Sequence, residues 1–443
     1  MILFYRLLLV PLLFLSAPYY LYRKVRRGDW QLAWQQRFGL FPKLSKTTKK
    51  RIWIQAVSVG EILAIESILK QLKNMNNLEV VLTTTTVTGY KEAHKRYQDS
   101  LLSLGLFPLD LWPCSASAWS RIQPDAILLV EGELWPEHLH QASRRKVPVF
   151  LINARLSDQS YRRLKYFGPL ARYQIKKIDT IYCATQLDFN RFTQLAAKPE
   201  KKIGNIKLDV HFDSPVSPEE KRRSLIEMGF EISQSEETPP FILVGASTWD
   251  SEEHYLLEAQ RTCLAAGINC HLILVPRHTE RRTSLLRSLA AQELAWSSAS
   301  GACSRKSDCK TEMLQAIHLS DNTGHLAHIL RLADLAFIGK SLPPNKGGQT
   351  PIEAAAQGIP LIFGPNMSNF TSIATHLVSV GAAFEVKDAL ELKSVILQLA
   401  QNASARSAMS VAGLKWHQSN KGISASIASD IEKRLTNAED SPA

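Results

Sequence analysis

At 443 residues the chain exceeds the roughly 100–200 residues of one ordinary domain, so two domains are expected. Apolar residues make up 45% and charged residues 21%, a balance that excludes wholesale disorder and supports sizeable cores. The net charge of +12 points to an anionic partner, and six cysteines without a C-x-x-C pair or zinc-ligand spacing read as reduced cytosolic thiols.

Residues 1–22, "MILFYRLLLVPLLFLSAPYYLY", carry Arg6 as their only charge, and about 20 apolar residues suffice to cross a bilayer. This segment is expected to be a retained membrane anchor. Pro11 and Pro18 leave two forms open, a span or a helix lying in the interface. Residues 23–51 follow as a basic juxtamembrane segment with ten Lys or Arg against one acid, Asp29. Such a block stays on the cytoplasmic side and attracts anionic lipid head groups.

From 52 to 210, β-rich runs ("RIWIQAV", "LEVVLTTT", "DAILLV", "VPVFLIN", "IDTIYCA") alternate with stretches of helical apolar spacing. This is the rhythm of parallel βαβ units and of a Rossmann-like domain. Residues 211–240 are polar and proline-marked, and they read as a linker. The alternation resumes over 241–403 with "FILVGA", "CHLILVP", "QAIHLSD", "LADLAFIG", "IPLIFG" and "AAFEV", a second Rossmann-like domain in which 297–310 is expected to be a surface loop. Residues 404–443 read as a closing helix and tail that can pack back across both domains. Two such sheets predict a cleft at the carboxyl ends of their strands.

The candidate site residues all follow predicted strands. In "AVSVGE" Glu61 falls in the first turn of a helix, where a carboxylate either complements the helix dipole or serves as a general base. In "EGELWPEHL" Glu131 and Glu133 flank Gly132, and one of the two is expected to cap the helix starting near Pro136. "IGNIKLD" contributes Lys207. Residues 153–177 hold seven Lys or Arg interleaved with aromatics, a helix suited to a phosphorylated lipid surface, and no nucleic-acid-binding motif surrounds it.

In the second domain "GAST" offers Ser247 and Thr248 as helix caps, and "VPRH" offers Arg277 for a phosphate. "GGQTPIEAAAQG" combines close backbone approach at Gly347 and Gly348, a cap at Thr350, Pro351 at the first helical position and Glu353 in the first turn. That combination describes a nucleotide's phosphate and ribose. No P-loop, G-x-G-x-x-G or D-x-D motif is present, so no hydride-transfer cofactor or metal is indicated.

In order and spacing, "VSVGE", "EGELWP", "NARLS", "GNIKLD", "GAST", "LVPRH", "GGQTPIEAAAQGIP" and "GPNMSNF" resemble the Kdo transferases of Gram-negative lipopolysaccharide synthesis, from the N-terminus to at least Phe384. The resemblance implies a GT-B fold and an inner-membrane enzyme with cytoplasmic catalytic domains. It implies inverting, metal-independent transfer of 3-deoxy-D-manno-octulosonic acid (Kdo) from CMP-Kdo to a lipid A precursor, without a cofactor. Carried over motif by motif, it makes Glu61 the general base and Glu131 and Lys207 transition-state stabilisers. It assigns CMP contacts to Pro276 and Arg277, to Thr323, Gly324 and His325, and to Thr350, Pro351, Ile352 and Glu353. Three positions depart from the family pattern: His325 stands for an acid, Thr350 for an asparagine and Gln349 for a frequent histidine.

Overall fold

The computed structural model describes residues 2–7, 9, 11, 34–75, 77–209, 216–230, 232, 240–290, 296–299, 303–304, 316–320 and 324–437. The chain divides into two compact units, one formed by residues 1–210 and 420–443, the other by residues 211–419.

Among the described residues, the first unit is built on a six-stranded parallel sheet: β1 (Lys50–Gln55), β2 (Leu78–Thr84), β3 (Ser103–Leu106), β4 (Ala126–Val130), β5 (Val149–Ala154) and β6 (Thr180–Cys183). Their spatial order is β3-β2-β1-β4-β5-β6. A parallel sheet covered by helices on both faces needs apolar side chains in both directions. Ile52, Ile54, Leu128 and Val130 accordingly pack on one face, and Trp53, Ile127 and Leu129 on the other.

The second unit's eight-stranded sheet comprises β7 (Phe241–Thr248), β8 (Cys270–Pro276), β9 (Trp296–Ser298), β10 (Cys303–Ser304), β11 (Ile317–Leu319), β12 (Leu335–Ile338), β13 (Leu361–Phe363) and β14 (Ala383–Glu385), again among the described residues. The order is β10-β9-β11-β8-β7-β12-β13-β14, parallel except for the β10–β9 pair. Leu243, Leu272, Leu274, Phe337 and Ile362 form its core.

Several expectations need correction. Residues 211–240 are no mere linker: they carry the helix Pro218–Glu227, capped by Ser217, and Lys221 Nζ lies 2.9 Å from Asp334 Oδ1 in the second unit. The supposed surface loop 297–310 takes up part of β9 and all of β10. Among the described residues the closing segment is two helices: Ala403–Asn420, which lies within the second unit up to Ser419, and Ile423–Asn437, which belongs to the first. The latter places Ile427, Ala428 and Ile431 in the first unit's core, and the Asp209 carboxylate accepts from the Gly422 and Ser424 amides at its start. Residues 153–177 form two helices, Asp158–Tyr166 and Gly168–Ile175, separated at Phe167 ahead of Pro169.

Of residues 1–22, the described portion is helical over 2–7 and docks on the first unit. Tyr5 donates to Asp110 (2.6 Å), and Arg6 donates twice to Glu137 (both 2.9 Å). Leu3, Phe4 and Leu7 stay exposed. No helix among the described residues is long and apolar enough to cross a membrane.

Candidate active site

In the first unit the chain order of strands reverses between β1 and β4, which are hydrogen-bonded neighbours. Ligand crevices of doubly wound sheets open at the carboxyl ends of such a pair. The residues that follow β1 lead to Glu61, and the residue that follows β4 is Glu131.

Glu61 sits in the first turn of the helix Val59–Ala64, and its side chain folds back over that turn. Oε2 accepts from the Val57 amide (2.7 Å), and Oε1 accepts from the Ser58 hydroxyl (3.1 Å). Only 8% of the residue is exposed. Burial pushes the Glu61 pKa up to about 7; the Val57 amide opposes the rise, the negative Glu131 adds to it, and Ser58 and Lys207 oppose it. A carboxylate fixed by two donors and poised near neutrality has the properties of a general base.

Glu131 adopts a left-handed backbone (φ +62°), a conformation uncommon for non-glycine residues, and unlike the left-handed Gln123 and Lys146 it does not sit at a helix C-terminus. Its Oε1 accepts from Lys207 Nζ at 2.7 Å. Lys207 lies on the short turn Ile206–Asp209 and reaches back to the sheet. Asn153, at the end of β5, ties the two together: Nδ2 approaches Glu131 Oε1 (3.4 Å), while Oδ1 accepts from the Ile206 amide (3.2 Å). The sequence assigns Asn153 no role of its own; it is the last residue of the apolar run "VPVFLIN".

Neither acid of "EGE" caps the following helix, contrary to expectation. The amides of Glu137 and His138 at the start of Pro136–Arg145 donate to Asp110, a residue from a different loop. Glu133 instead accepts from the Trp135 indole, and burial pushes its carboxyl up to about 7, with Glu61 and Glu131 adding to the rise. Glu61, Glu131 and Glu133 are thus three acids in electrostatic reach of one another, with the Lys207 ammonium on Glu131.

The second unit reverses its strand order between β7 and β12. Arg277 follows β8, is exposed, and donates its amide to the Thr248 carbonyl (3.1 Å). Pro276 is the buried last residue of β8. Ser247 and Thr248 do not cap the next helix, because β7 continues through both and the helix starts at Glu252. Gly324 (φ +91°) and His325 are exposed and lead into the helix Leu326–Leu330. That helix packs against Ile352–Ala356, and the Gln357 side-chain Nε2 donates to the Ala327 carbonyl (3.2 Å). The structure thereby brings Gly324 and His325 to the same region as Thr350, Pro351, Ile352 and Glu353; Thr323 lies outside the described residues.

The helix Ile352–Ala356 begins one residue later than expected, with Pro351 at the capping position and Thr350 Oγ1 accepting from the Ile352 amide (3.3 Å). Burial raises the Glu353 carboxyl above the usual range. Gly347 (φ +108°) and Gly348 (φ +70°) both need backbone that glycine tolerates best. Beside them opens a cavity of ≈ 310 Å³, lined among others by Lys346, Asn366, Met367, Ser368 and Thr371 from the loop "GPNMSNF" and its neighbours.

Comparison with known proteins identifies relatives of the chain. Residues 32–210 match the family model described as 3-deoxy-D-manno-octulosonic-acid transferase (kdotransferase). The 3-deoxy-D-manno-octulosonic acid transferase of Bordetella pertussis is 30% identical over 437 residues, 96% of this chain and 97% of that one. The enzyme of the same name from Haemophilus influenzae is 30% identical over 393 residues, 87% of this chain and 88% of that one. Among solved structures, a glycosyltransferase from Rickettsia africae aligns with a TM-score of 0.58 at 13% identity, covering 88% of this chain and 99% of that one, which matches the GT-B-like fold. On the strength of near-complete alignment to relatives at 30% identity, the chain belongs to the 3-deoxy-D-manno-octulosonic acid transferase family.

Proposed function

We propose that the protein moves Kdo from CMP-Kdo to a sugar hydroxyl of a lipid A precursor in one inverting, metal-independent displacement. The observation that carries this reading is the buried Glu61, held by the Val57 amide and Ser58 at the β1–β4 switch point with a pKa near 7. Glu61 takes the proton from the acceptor hydroxyl as that oxygen bonds to the anomeric carbon. The bond from that carbon to the CMP phosphate breaks, and CMP leaves with the electron pair. General-base assistance of this kind is worth roughly 10²–10⁴ in rate. The Lys207–Glu131 pair supplies fixed charge to the developing transition state, and Pro276, Arg277, the 323–325 segment and Thr350 to Glu353 hold CMP.

The test is transfer by the detergent-solubilised protein from CMP-Kdo to a tetraacylated lipid A precursor, read as Kdo-sized mass increments, with CMP and UDP as competitors. Inhibition by CMP alone is expected; inhibition by UDP with no Kdo increment would replace this donor by another nucleotide sugar.

The same reading places the protein at the cytoplasmic face of a bacterial inner membrane, with residues 1–22 as anchor. Support comes from their apolar run, from the exposure of Leu3, Phe4 and Leu7 while Tyr5 and Arg6 bind the folded unit, and from the basic stretch that follows. Deleting residues 1–22 should move the protein from the membrane pellet to the supernatant. An unchanged pellet fraction would assign attachment to the basic helix Asp158–Tyr166, where Tyr166 and neighbouring Phe167 are exposed.

A further inference from the structure

We propose that Lys340 is a second donor-binding cation, its ammonium receiving an anionic group of the nucleotide sugar; the inference rests on the donor reading above. Lys340 follows β12, which is hydrogen-bonded to β7 at the strand-order reversal of the second unit. It therefore stands where a doubly wound sheet binds its ligand.

The backbone there is unusual. Lys340 has φ +61°, a left-handed conformation that glycine adopts freely and lysine does not. The preceding Gly339 has no room for a Cβ, which would run into the Ser247 carbonyl, and Ser247 is itself left-handed (φ +56°). A fully buried carboxylate holds this loop in place. Glu252 Oε2 accepts from the amides of Lys340 (2.8 Å) and Trp249 (2.9 Å), and Oε1 accepts from Ser341 (2.9 Å) and Leu342 (3.2 Å). A lysine in a strained and tightly tethered position points to a use for its charge.

The ammonium is available. Lys340 Nζ rests 4.4 Å from the centroid of the Trp249 ring, and no carboxylate of a described residue pairs with it. The same holds for Arg277, whose amide bonds the residue just before Trp249. His278 meets the Trp249 ring edge-on at 5.0 Å. Thr248 Oγ1, directly before Trp249 in the chain, is buried without a hydrogen-bond partner. The Lys340 ammonium on the Trp249 ring and the exposed Arg277, whose backbone is tied to Thr248, are two cations without a carboxylate partner among the described residues, and they suit a donor with two anionic groups, a phosphodiester and an acidic sugar's carboxylate. A cation parked on an aromatic face leaves it readily for a charged partner, because a charge-assisted hydrogen bond is the stronger contact.

The experiment uses the full-length protein with Lys340→Gly, which keeps the left-handed backbone, Lys340→Met, which keeps the stem, and Lys340→Arg, which keeps the charge. Binding of CMP and of CMP-Kdo, donor KM and kcat, and Tm are measured for each. Loss of one charge-assisted contact should raise the donor KM about tenfold in the Gly and Met variants, with kcat within about twofold of wild type and Tm not lowered in the Gly variant. The Arg variant should recover part of the affinity. Weakened CMP binding places the ammonium on the phosphate; a loss confined to CMP-Kdo places it on the sugar carboxylate. Wild-type affinity for both ligands in the Gly and Met variants overturns the proposal. Should the wild type bind UDP in place of CMP, the donor reading fails by itself, and the same three variants on UDP decide the role of Lys340.

Discussion

Glu61 is held by contacts that pull its proton affinity in opposite directions. Burial and the neighbouring Glu131 favour the protonated form; the Val57 amide, Ser58 and Lys207 favour the charged one, and the balance settles near pH 7. A base must be deprotonated to act, so kcat/KM is expected to rise with pH up to about 7 and then level. Lys207→Met removes a positive neighbour and should move that limb to higher pH, whereas Glu131→Gln removes a negative one and should move it lower. Profiles that leave the limb in place in both variants would show that Glu61 is not the titrating group. The same balance bears on stability. The folded site holds its proton above the ordinary value of 4.5, so between there and about pH 7 the folded state binds more protons, and this carboxyl's contribution to stability falls as pH rises.

At the scale of elements, the strands rich in Val, Ile and Leu were legible because buried parallel strands read as continuous apolar runs. β3 ("SLGL"), β9 ("WSS") and β10 ("CS") were not, since they are short and poor in β-branched residues, and pairing with neighbouring strands decides their conformation. The site residues that follow strands were legible for the same reason as the strands. Partnerships between loops were not. Nothing near Pro136 in the sequence identifies Asp110 as the cap of that helix, and Asn153 acquires its place between Glu131 and Ile206 only when β5 lies beside β4. The left-handed backbone of Glu131, Ser247 and Lys340 was equally hidden, because none is glycine.

At the scale of the whole molecule, the chain leaves the first unit at residue 210 and returns to it at residue 420. The returning helix Ile423–Asn437 packs with Glu66–Lys73, and Tyr182 donates to its Asp430. Ending the chain after Asn420 would strip Ile427, Ile431 and Leu435 from the core. Losing a buried large aliphatic side chain costs about 2–5 kcal/mol, so three approach the roughly 5–15 kcal/mol that stabilises a typical domain. The truncated protein should therefore lose the cooperative unfolding of its first unit while the second still melts; a two-unit melting profile like that of the full chain would contradict this packing.

The measurement that bears most directly on the account is single-turnover transfer by wild type and Glu61→Gln side by side, with CMP affinity measured for both. With Glu61 as the base, the wild type should show Kdo-sized mass increments on the lipid acceptor, the variant should form them about 10²-fold or more slowly, and the two should bind CMP equally. Transfer by Glu61→Gln at a rate close to wild type would contradict the assignment of Glu61 as the base.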